Sequence, residues 1–137
     1  MATPAQKTLV FSLPMMLLTS KGGDQNWSFI DIPMGDLEAL GPYLAALTAH
    51  TNSFAKSANA QWKVVFWWSV DAKTWSPPTP IDLFAAITAE GQAIQVAYND
   101  ATKFGIHLRF AYAIRAGAGT AIESVTAGGY IVADLKT

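Results

Sequence analysis

The side chains able to carry acid–base or metal chemistry are few: two histidines, His50 and His107, and ten carboxylates spread along 137 residues, with no cysteine. A zinc or iron site needs three or four converging donors. Neither histidine has another histidine or a carboxylate at ligand spacing, so no metal and no other cofactor is expected. Without cysteine there is no thiolate nucleophile and no disulfide, and no Gly-x-Ser-x-Gly elbow supplies an activated serine. The carboxylates include no close pair that reads as an acid/base couple, although carboxylates distant in sequence meet in space in glycosidases. Gly117-Ala118-Gly119 lacks the third glycine and the following helix of a dinucleotide fingerprint, and reads as a turn. Asn26-Trp27-Ser28 matches the glycosylation triplet, which has meaning only in a secreted chain. The chain is therefore expected not to be an enzyme.

What remains is recognition, and here the composition speaks. Hydrophobic residues make up 51% of the chain against 14% charged, and the mean hydropathy is +0.23. That is more apolar than a soluble monomer of this size needs. No stretch approaches the roughly 20 apolar residues of a membrane-spanning helix. The apolar run 9–18 is interrupted by Ser12 and Pro14 and has the wrong flanks for a signal peptide, so neither membrane nor secretion is expected. With a net charge of −1 and basic residues scattered, no nucleic-acid surface is expected. Subunit interfaces are the destination left for the apolar surplus.

The elements follow from periodicity. Phe104, Ile106, Leu108, Phe110, Tyr112 and Ile114 alternate with Gly105, His107, Arg109, Ala111, Ala113 and Arg115, predicting a long strand with one buried face. In 62–70, Trp62, Val64, Phe66 and Trp68 alternate with Lys63, Val65, Trp67 and Ser69, so both faces carry large apolar groups. Such a strand is either covered on both sides or offers Val65 and Trp67 to a neighbouring subunit. Segments 8–17, 27–32, 43–51, 93–98, 121–126 and 130–135 are weaker strands. They are punctuated by turn residues that include Ser76-Pro77-Pro78, and Gly128-Gly129 reads as a two-residue hairpin turn. Segments 36–40 and 82–89 read as short helix or loop. About eight strands with one or two short helical turns predict an all-β, antiparallel, jelly-roll-like sandwich over residues 8–137, preceded by a polar N-terminal arm, 1–7.

After the aromatic strand comes Ser69-Val70-Asp71-Ala72-Lys73-Thr74-Trp75. An aspartate so placed accepts backbone N–H bonds from the next two residues and closes a tight Asx-type turn. The segment resembles the Ser-x-Asp-Gly-x-x-Trp hairpin of discoidin-like and other jelly-roll sandwiches, with Ala72 where that pattern prefers glycine. In style, being short, cysteine-free and rich in Ala and Gly, the chain resembles the small jelly-roll decoration and accessory proteins of phage virions. That resemblance implies a structural protein of a virion or assembled particle, a homo-oligomer bound to a scaffold such as a capsid. Val65, Trp67 and Lys7 are then the interface candidates, and Ser69, Asp71 and Trp75 form the turn. The alternative is a carbohydrate-binding module or lectin, with Trp27, Trp67 and Trp75 as a stacking platform for sugars.

Overall fold

A computed structural model describes residues 8–21, 25–99 and 106–136. The arm 1–7, with Lys7, and Phe104 and Gly105 lie outside the described residues. The described residues form eight strands: β1 (Thr8–Thr19), β2 (Ser28–Ile32), β3 (Leu44–Phe54), β4 (Ala60–Ser69), β5 (Ser76–Asp82), β6 (Gly91–Tyr98), β7 (His107–Ala116) and β8 (Ser124–Leu135). They make two four-stranded sheets, ordered β1-β8-β3-β6 and β2-β7-β4-β5. All described pairings are antiparallel. The pairs β1·β8, β2·β7, β3·β6 and β4·β5 are nested, as if one long hairpin closing at the β4–β5 turn had been wrapped so that successive pairs fall alternately in the two sheets.

Between the sheets lies one core. Trp62, Val64, Phe66, Leu108, Phe110, Tyr112 and Ile114 enter from the second sheet, and Leu13, Leu18, Leu47, Ile131 and Ala133 from the first. The alternation read in β4 and β7 thus sets their inner faces. It ends where β7 ends: Ile106 precedes the strand and is 48% exposed, so it does not join the core as expected. The Tyr112 hydroxyl crosses to the other sheet and donates to the Pro14 carbonyl at 2.6 Å. Pro14 has no N–H for the ladder, and the β1·β8 register shifts there, between Leu13 and Met16. Burial pushes the Tyr112 phenol well above its ordinary pKa.

Two expectations are corrected. Gly128-Gly129 is no hairpin turn, because β8 runs unbroken through both residues with β1 on one side and β3 on the other. A Cβ on Gly128 would stand 2.7 Å from Met15 Cα, and one on Gly129, whose φ is +143°, would collide with the His50 carbonyl oxygen. The glycines permit close strand approach instead of reversal. The other correction concerns Ser76-Pro77-Pro78, which does not break the sheet but opens β5, an edge strand, where a missing N–H costs no ladder bond. Segment 36–40 falls on a 3-10 turn, Gly35–Ala39. Segment 82–89 is a loop beyond Asp82 that buries Leu83, Phe84 and Ile87, with a bridge from Ile87 to Trp62.

Candidate functional site

The two outer sheet faces are the surfaces where the apolar surplus could act, and they differ in every respect. Outward on the first sheet, the register sets Val10, Val132, Thr48 and Val96 in one row and Ser12, Tyr130, His50 and Ile94 in the next. Gly128, Asn52 and Gln92 follow as a small and polar row, and Leu17, Thr126 and Phe54 make the row beyond it. Val10 is 65% exposed, Leu17 63%, and Ile94 and Val96 71% each. At the centre the His50 and Tyr130 rings stack at 4.6 Å and 9°. In all four strands of this sheet the sole Asp, Glu, Lys or Arg is Asp134, near one end, where it accepts a hydrogen bond from the Thr8 hydroxyl. The face is nearly uncharged and, among the described residues, has no cover over its exposed apolar side chains.

The second sheet shows the opposite. Ala111 and Ala113 of central β7 and Val65 of β4 form a floor that is fully buried beneath Trp27 and Trp67. The alanines are short enough for rings from the flanking strands to lie across them. Lys63 Nζ sits 4.2 Å and Arg115 Cζ 4.4 Å from the Trp27 ring centre. Phe29 meets Trp67 edge-on at 5.6 Å, and Arg109 Cζ lies 5.0 Å from the Trp67 ring. The cations have polar partners as well: Lys63 with Asp82 at 2.6 Å, Arg109 with Asp31 at 3.1 Å, and Arg115 Nε with Gln61 at 2.9 Å.

These geometries place the sequence-derived candidates. Val65 has its cover inside its own chain, and Trp67 is half-buried against Phe29 and Arg109. Of the proposed sugar platform, Trp27 and Trp67 share a face but their rings are engaged by the chain's own cations, and Trp75 stands apart at the β4–β5 turn. Ser69 and Asp71 do close that turn. The Asp71 carboxylate accepts from the Lys73 and Thr74 amides at 2.8 and 2.9 Å and from the Ser69 hydroxyl at 2.9 Å, while Ser69 Oγ accepts from the Ala72 amide. Those donors hold the Asp71 pKa down to about 2, from 3.8. Ala72 takes a left-handed φ of +60°, the conformation for which the resembling hairpin uses glycine.

Among the described residues, no three His, Asp or Glu side chains come together as metal ligands, and no helix is long and apolar enough to cross a membrane. The first-sheet face was missed in sequence because its residues come from four separate segments, each unremarkable alone. The signal that could have found it is the near absence of charge from 8–19, 44–54, 91–98 and 124–135. Comparison with family models, with curated proteins and with solved structures finds no match to the chain.

Proposed function

We propose that the chain is an assembly subunit, a structural protein that packs against a second copy of itself and, as a homo-oligomer, decorates a larger protein particle such as a virion. The observation carrying this reading is the nearly uncharged face of β1-β8-β3-β6, whose apolar side chains no described residue covers. Four strands about 4.8 Å apart and some ten residues long at about 3.3 Å each present about 600 Å². Two copies face to face would bury about 1,200 Å² in total, the lower end of stable interfaces. A face almost free of charge meets no like-charge repulsion from its own image, and a two-fold axis would set the two His50–Tyr130 stacks near each other. We read the nested strand order as a jelly roll, an architecture that hosts viral capsid and lectin domains.

Sedimentation velocity tests the reading. The unmodified protein should run as a dimer or larger species, and Val132→Lys or Ile94→Lys should raise the dissociation constant at least about tenfold with the β-structure unchanged. A monodisperse monomer at about 100 μM, far above a micromolar dissociation constant, would end it.

A further inference from the structure

The second sheet's outer face holds an open depression of about 500 Å³ over Val65 of β4, walled by Lys63, by Thr79 to Asp82 of β5 and, from across β7, by Trp27 and Phe29. That volume lies in the range of small-molecule sites. We propose that it is a binding site for a neutral glycan, a short saccharide whose C–H face lies on Phe29 and whose hydroxyl edge meets the Lys63–Asp82 pair. This goes beyond the assembly reading and does not rest on it, since the two faces are on opposite sides of the sandwich.

The chemistry of the walls selects the ligand. Phe29 remains 46% exposed although its neighbours on the floor are fully buried, so an aromatic surface is left open beside the depression. Opposite, the Lys63 side chain is 12% exposed and that of Asp82 53%, at 2.6 Å, so the ammonium is held low and the carboxylate stands at the rim. A wholly apolar ligand would strip water from that pair without replacing its hydrogen bonds. An anion would be repelled by Asp82 and a cation by Lys63. A pyranose has one face of C–H groups and a perimeter of hydroxyls that donate to a carboxylate and accept from an ammonium, and it carries no charge. The site differs from the tryptophan platform expected from sequence: Trp75 takes no part, and Phe29 supplies the open ring.

The test is titration of the full chain with neutral mono- to trisaccharides of glucose, galactose, mannose and N-acetylglucosamine, followed by calorimetry and amide chemical-shift mapping. At least one should bind, with shifts centred on Phe29, Lys63 and Thr79. Phe29→Ala and Asp82→Asn should each weaken it about tenfold or more, and Ile122→Ser, on an exposed loop elsewhere, should not. Shift mapping keeps the test decisive if Phe29→Ala disturbs the Trp67 packing. No binding by any of these sugars, shifts confined to the first sheet's face, or binding only of acidic sugars and only at low salt would overturn the proposal.

Discussion

Both outer faces of this sandwich carry large apolar side chains, yet on one the chain's own rings and cations cover most of the floor, while on the other, among the described residues, the apolar rows stand exposed. On the second sheet the central strand offers Ala111 and Ala113, so Trp27 and Trp67 from the flanks fold over the floor and cations settle against the rings. On the first sheet the central strands carry Tyr130, Val132, Thr48 and His50, which stand between the edge rows Val10 and Ile94–Val96 and leave nothing for a flanking side chain to fold across. At these rows the alanines of the second sheet admit rings that the larger residues of the first do not. The same contrast appears in charge, since Asp31, Lys63, Asp82, Arg109 and Arg115 all belong to the second sheet and Asp134 alone to the first.

The comparison can be broken or sharpened by substitution. Gly129→Ala should have the largest effect, because it places a Cβ on the His50 carbonyl at a left-handed φ in the sheet that carries the open face. A loss of about 3–5 kcal/mol in urea unfolding is expected from clash and strain together. Next, Ala113→Leu should cost about 1–3 kcal/mol by lifting Trp27 off its floor, whereas Val96→Leu on the open face should stay within about 0.5 kcal/mol. Equal losses at the two positions would mean that the first face is covered in the monomer or that the second is not.

Smaller effects belong to the β4–β5 turn at the end of the self-covered sheet. Ala72→Gly should stabilise by about 0.5–1 kcal/mol, since glycine relieves the left-handed strain at some cost in chain entropy. Asp71→Asn should give the least, a slight fall in the unfolding midpoint at neutral pH. The Asp71 pKa is depressed on folding, from 3.8 to about 2. Its contribution is therefore present above about pH 4 and lost as pH falls toward 2, so the gap between Asp71→Asn and the parent should close over that window. A gap that persisted at pH 2 would assign the effect to something other than the carboxylate.

Much of the fold was legible along the chain. Alternation alone marked the inner faces of β4 and β7, and residue types alone argued against thiol and serine-elbow chemistry. The Ser69–Asp71 turn could be read because its donors and acceptors lie within six residues. Two errors had one origin. Gly128-Gly129 and Ser76-Pro77-Pro78 were both read as breaks, because glycine and proline reveal what the backbone is permitted to do and not what stands beside it. The first pair lets β8 pass close between β1 and β3, and the second starts an edge strand.

Period-2 patterning states that Val65 and Trp67 share a face, and that Ile94, Val96, Tyr130 and Val132 point to faces of their own strands. It says nothing of which strand lies alongside. That Val65 is buried in a cluster with Trp27 and Trp67, and that four weakly marked segments combine into one nearly uncharged surface, follows from the nested order β1-β8-β3-β6 and β2-β7-β4-β5. Burial belongs to pairs of strands far apart in sequence, such as β1 with β8, and only folding brings those pairs together.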